Sequence, residues 1–185
     1  MRLTLKLFLA LVLFALPFSG AMADEYDDTV KIFKNAGESG NFFGNSYGYA
    51  LFPTIGKGGI GIGAAHGSGR VYEQGKYVGD TKMNQVSIGL QLGGQAYSQV
   101  VFFQDKRSFD EFTSGNFEFS ADANAVAITA GASASASTGG SSAGASGGKN
   151  DATTAGKYHK GMAVFTVAKG GLMYQAAIAG QKYKY

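Results

Sequence analysis

The chain has 185 residues, no cysteine, no tryptophan, 29 glycines and a formal net charge of +3. The missing cysteine excludes disulfides and thiolate metal sites, so packing alone must hold the fold together. The length suits one domain with a sizeable core and is short for two.

Residues 1–23 read as a secretory signal: Arg2 and Lys6, an apolar run from Leu7 to Leu16, a Pro17 break, and Ala21-Met22-Ala23 as the cleavage site. The apolar run is too short to span a bilayer as a helix, which takes about 20 residues. The expected product is a periplasmic domain over 24–185, either soluble or peripherally held on a membrane. Without Arg2 and Lys6 its net charge falls to +1, and that charge is uneven: residues 24–38 carry five acids and two lysines, residues 149–185 six lysines and one acid. The asymmetry suits an anionic surface better than a nucleic acid, and it also fits ordinary solvated faces.

Tyr26, Val30, Phe33 and Gly37 recur at helical spacing behind Asp24, Glu25, Asp27 and Asp28, which predicts a short amphipathic helix with acids in its first turn. Gly37 to Gly48 reads as a loop, with Phe42-Phe43 as a core plug. Strands dominate from Tyr49 onward. The stretch Leu51–Tyr72 is dense in glycine yet keeps apolar residues between them, the composition of chains that cross closely or turn with positive φ. Gly59-x-Gly61-x-x-Ala64 fits a relaxed dinucleotide fingerprint, but Gly67-Ser-Gly69 and Arg70-Val71-Tyr72 follow where a helix is required, and no Gly-x4-Gly-Lys-Ser/Thr loop exists.

Val86, Ile88, Leu90 and Leu92 alternate with polar or small residues, which predicts a half-buried strand with those four inward. Tyr97–Phe103 reads as a more fully buried strand, joined to the previous one through Gly93-Gly94. Asp105 caps a predicted helix through Phe112, with Phe109 and Phe112 on one face and an end at Gly115. A strand is expected to run to about Ala130 and into a low-complexity Ala/Ser/Gly excursion over about 131–156. Met162–Ala168 and Leu172–Ala179 predict a hairpin around Lys169-Gly170-Gly171.

No catalytic constellation emerges. Gly140–Gly144 and Gly144–Gly148 match Gly-x-Ser-x-Gly, but within a tract so rich in glycine and serine that chance matches are expected, and the nucleophile elbow needs a rigid strand-to-helix turn. His66 and His159, the only histidines, are 93 positions apart and show no metal-ligand spacing, and Asp110-Glu111 diverge by about 100° on a helix. Neither a catalytic residue, a metal nor a cofactor is therefore expected. Three tyrosine–lysine neighbours, Lys76-Tyr77, Lys157-Tyr158 and Lys182-Tyr-Lys-Tyr185, fit a membrane interface and fit solvated turns as well.

The chain resembles the SYLF domain family of lipid-binding proteins, in its branch of short bacterial secreted members. The residues that carry the resemblance are Gly48-x-Ala50-x-Phe52-Pro53, Gly58-Gly59, Gly61 through Gly69 with Val71, the strand Val86–Gly94, Phe117–Ala123 and Lys169–Gly180. Two features depart from the eukaryotic pattern: Tyr77-Val-Gly-Asp80 stands where those members carry Trp-Ser-x-Pro, and the Ala/Ser/Gly tract is inserted. The combined expectation is an α+β fold, mainly antiparallel β-sheet of meander or barrel-like form, with a short N-terminal helix and one mid-chain helix. The resemblance implies a non-enzymatic protein that binds anionic phospholipid headgroups or a membrane surface. Lys57 and Arg70 bracket the glycine-rich motif, Lys169 sits in the terminal turn, and backbone amides at Gly58 and Gly59 suit a phosphate. Lys157 and Lys160 are further candidates from charge alone. Nucleic acid is not an expected partner, and actin is unexpected in a periplasm. A small outer-membrane β-barrel and an envelope interaction protein without a lipid ligand stand as alternatives.

Overall fold

A computed structural model describes residues 19–36, 38–60, 62–88, 94–120, 123, 125–128, 157–169 and 178–185. Three helices, α1 (Ser19–Asn35), α2 (Glu38–Asn45) and α3 (Lys106–Thr113), accompany eight strands: β1 (Gly48–Ile60), β2 (Ile62–Glu73), β3 (Lys76–Ile88), β4 (Gln95–Phe103), β5 (Asn116–Glu118), β6 (Val126–Ile128), β7 (Met162–Lys169) and β8 (Lys182–Lys184). They form one mainly antiparallel sheet in the order β5-β8-β3-β2-β1-β4-β7-β6, in which only β6 and β7 run parallel. The expected meander is the β1-β2-β3 run. Among the described residues the sheet has two edges, β5 and β6, and helices cover part of its outer face, so it does not have the form of the closed eight-strand membrane barrel.

The glycine-rich stretch is an antiparallel pair, β1 on β2, with partners from Gly48 opposite Glu73 to Ile60 opposite Ile62. No helix follows it, which removes the dinucleotide reading. Glycine is required here for close approach: a Cβ at Gly69 would lie 2.6 Å from the Phe52 ring and 2.7 Å from the Leu51 carbonyl oxygen. The large side chains of β1 fill the space that β2 leaves empty.

One face of the sheet packs Leu51, Val100, Phe102, Ala163, Phe165 and Val167 against Tyr26 and Phe33 of α1, with Val30, Phe42 and Phe43 alongside. The other face gathers Phe52, Ile55, Met83, Val101, Phe103 and Tyr183 under Phe109 and Phe112 of α3. That second face is concave. β4 and β8 are separated by β1, β2 and β3, which would put them about 19 Å apart in a flat sheet at ~4.8 Å per step. Yet Gln99 on β4 donates to Tyr183 Oη on β8 at 2.6 Å, with Gln99 0% and Tyr183 2% exposed. The sheet therefore curls strongly around this core while, among the described residues, it stays open.

α3 forms where Asp105 accepts from the Ser108 backbone N–H and the Ser108 side chain accepts from the Asp105 N–H, a reciprocal cap. Gly115, at φ +117°, ends the segment. Asp110 and Glu111 pair separately with Lys106 and Arg107.

Three expectations need correction. The segment read as a loop from Gly37 contains α2, whose Phe42 stacks on Phe102 at 5.4 Å and whose Phe43 meets it edge-on at 4.9 Å; the aromatic plug is right and its backbone is helical. The phase of β3 is inverted, because Val86 is 73% exposed while Thr81, Met83 and Gln85 are buried. Periodicity alone assigned the apolar set inward, but the concave core at this end is polar and accepts Gln85, which donates to the Ala179 carbonyl at 2.9 Å. The acids Asp24, Glu25, Asp27 and Asp28 also do not form the first turn of α1, which begins at Ser19. Gly37, residues 89–93, the 131–156 tract and the second arm of the C-terminal hairpin at 172–177 lie outside the described residues.

Candidate functional site

β1, β2 and β3 come together at one end of the sheet. Gly58 and Gly59 lie opposite Ala64 and Gly63, Ile62 lies opposite Ile88 and Ala64 opposite Val86. β4 begins at Gln95, opposite Lys57, so on that side Gly58 and Gly59 have no strand partner among the described residues. Gly59 has φ +148°, and a Cβ there would sit 2.1 Å from the Ile62 carbonyl oxygen. Only glycine permits this narrow crossing.

Lys57 shares its face with Ile55 and with its partners Ala65 and Gln95, which places it on the concave side. Its ammonium is half-buried, and desolvation pulls its pKa below the ordinary lysine value. Among the described residues it makes neither an ion pair nor a side-chain hydrogen bond. A partly desolvated cation without a counter-charge is costly to hold, and such groups cluster at binding sites.

The other predicted cations are placed elsewhere. Arg70 lies opposite Leu51 on the convex face, about 17 Å along the sheet from Lys57. Its guanidinium sits 4.2 Å from the Tyr26 ring centroid and 5.6 Å from that of Tyr77, so it fastens α1 to the sheet. Lys169 is at the same end as Lys57 but on the convex face, where its Nζ donates to Thr54 Oγ1 at 2.5 Å and reaches Glu25 at 3.3 Å. Lys157 and Lys160 are at the opposite end. Lys157 borders a recess of about 410 Å³ with Asn41, Phe42, Asn45, Gln104 and Tyr158, and Lys160 reaches Ser120 at 3.4 Å. The structure thus keeps Gly58 and Gly59 with Lys57 but splits the five cations between two faces and two ends.

The tyrosine–lysine neighbours divide in the same way. Tyr77 and Tyr185 are exposed, whereas Tyr183 is buried and Tyr158 packs edge-on against Phe42 at 5.0 Å, its pKa pushed up to about 12 by burial. Membrane-interface roles for Tyr158 and Tyr183 do not fit those positions. Two residues that periodicity hid are on the convex face of the hairpin end: Ile62 and Val86, 66% and 73% exposed. Ile62 is marked by its flanking Gly61 and Gly63, and both residues lie in stretches without acids. From residue 39 to 72, and again from 81 to 104, the sequence contains no aspartate or glutamate.

His66 bonds Asn84 at 2.8 Å, and among the described residues no group of three or more potential ligands gathers to hold a metal. No described helix is long and apolar enough to cross a membrane. The profile of the Ysc84 family, described as Las17-binding protein actin regulator, matches residues 84–184, more than half of the chain. The chain belongs to this family. The Ysc84 domain and the SYLF domain are the same, so the resemblance read from the glycine motifs holds, although β1 and β2 precede the matched residues. Ysc84 domains are generally non-enzymatic binding proteins associated with lipid and actin. The chain is also 28% identical over 158 residues to Beta cell expansion factor A of Aeromonas veronii, covering 83% of this chain and 51% of that protein. It therefore spans about half the length of that relative.

Proposed function

We propose that this Ysc84-family domain is an exported, non-enzymatic protein that docks on anionic phospholipid surfaces in the periplasm through the hairpin end of its sheet. The observation that carries this reading is Lys57, a half-buried ammonium without an acidic partner among the described residues, set in an acid-free stretch beside the open backbone of Gly58 and Gly59. A phosphate arriving there supplies the missing counter-charge, and backbone amides offer it donors. Lys169 lies at the same end with its charge paired to Glu25, while Arg70, Lys157 and Lys160 lie outside this surface. The actin-regulator description belongs to the family profile; an exported domain meets lipid and not actin.

Co-sedimentation of residues 24–185 with vesicles of rising anionic lipid content tests the reading. Binding should rise with anionic fraction and weaken between low and physiological salt, because exposed charges are screened beyond about 8 Å. Equal binding to neutral and anionic vesicles would overturn the anionic-headgroup reading, and binding to neither would favour an envelope interaction protein without a lipid ligand.

A further inference from the structure

The geometry points to a membrane-inserting element: the convex face of the hairpin end, with Ile62 and Val86 entering the acyl boundary of an anionic bilayer while Lys57, on the opposite face of the same strands, stays at headgroup level. This rests on the lipid reading above and says how the surface is held.

Ile62 begins β2, and Val86 lies opposite Ala64 on the same face, one diagonal step away. The pair is therefore within reach of a single contact, both side chains within about 7 Å of the turn along the strand. Both side chains are largely exposed, at 66% and 73%. Around them the sheet presents Gly56, Gly58 and Ala64, which add no bulk. Further along the same face come His66 and Asn84, then Ser68 and Lys82. The face thus grades from aliphatic at the tip to polar and cationic about 20 Å back; β2 and β3 bring no carboxylate to it before Asp80, and Glu25 of α1, beside Thr54, is paired with Lys169.

That gradient matches the depth profile of a bilayer interface, where an apolar edge sinks ~5–10 Å and cations remain with the phosphates. A protein partner fits less well, because two aliphatic side chains supply far less than the ~800 Å² per partner of a stable interface. The acid-free tips of β2 and β3 also complement anionic lipid, since the nearby Glu25 is neutralised by Lys169.

The chain lacks tryptophan, so one introduced indole reports its own depth. Ile62→Trp and Val86→Trp, both at exposed positions, are mixed with vesicles of phosphatidylglycerol and phosphatidylcholine with or without brominated acyl chains. Tyr77→Trp, about 30 Å away along β3, is the comparison. Emission at positions 62 and 86 should shift to the blue and be quenched by the brominated lipid, and emission at 77 should not change. In sedimentation, Ile62→Ser should lower vesicle affinity by about tenfold through lost apolar burial. If the parent sediments with the vesicles but neither tip indole shifts, insertion fails and surface docking stands. If the parent does not sediment, both fail. A blue shift that depends on protein concentration and needs no vesicles would assign the face to a second copy of the chain and overturn the inference.

Discussion

Tyr183→Phe tests the curl of the sheet, because it removes one oxygen and keeps the ring among Phe52, Phe112, Phe117 and Phe119. In the native chain Tyr183 Oη accepts from Gln99 Nε2 at 2.6 Å and donates to Gln181 Oε1 at 2.5 Å, while Gln181 Nε2 donates to Tyr97 Oη at 3.1 Å. The two glutamines also bond each other, at 3.1 and 3.3 Å, so loss of the hydroxyl weakens the network without orphaning either amide. Net hydrogen bonds contribute about 1 kcal/mol each and a partly unsatisfied buried amide costs somewhat more, giving roughly 1–2 kcal/mol. For a chain of this size that lowers Tm by about 5 °C. The assay is thermal and urea unfolding followed by circular dichroism, which should show a lower midpoint at unchanged urea slope. A Tm within about 1 °C of the parent would mean that β4 and β8 do not meet through this oxygen, and the concave face would have to be redrawn.

Gly69→Ala should destabilise by roughly 1–3 kcal/mol, since its methyl group would enter the Phe52 ring and no backbone shift relieves both contacts; chemical denaturation checks it. Lys57→Met should raise Tm while weakening vesicle binding, because it removes a desolvated charge that stabilises nothing in the described fold; melting and sedimentation must move in opposite directions. Tyr49 and Tyr158 are held at about 12 by burial, against 10.0 for a free phenol. Their raised values contribute stability that is whole below pH 10 and lost as pH climbs through about 12. Tyrosinate absorbance should therefore rise in two stages, the later one together with unfolding.

Much of the fold was legible because local signals agreed. Asp105 as a cap with Phe109 and Phe112 on one face marked α3, the apolar run Val100–Phe103 marked β4, and the Tyr26/Val30/Phe33 stripe is the face α1 turns to the sheet. β3 was not legible, because its alternating residues obey period two whichever face is buried, and the choice depends on a polar core assembled from Gln85, Gln99 and Gln181 far apart in sequence. The loop reading of Glu38–Asn45 failed because glycine and asparagine oppose a helix locally, whereas packing of Phe42 and Phe43 on Phe102 overrides that preference. For the site, Lys57 with Gly58 and Gly59 could be found from the motif. Arg70 could not be separated from them, since the twelve intervening residues do not show that a hairpin carries the two cations to opposite faces.

The most direct measurement is the ratio of vesicle affinities of Lys57→Gln and Lys157→Gln, two single charge removals at opposite ends of the sheet. Each interfacial lysine contributes on the order of 1 kcal/mol near an anionic surface, so Lys57→Gln should bind phosphatidylglycerol-rich vesicles about fivefold more weakly than the parent, and Lys157→Gln should match the parent. Equal losses in the two variants would mean that diffuse charge, and not the hairpin end, holds the protein to the membrane.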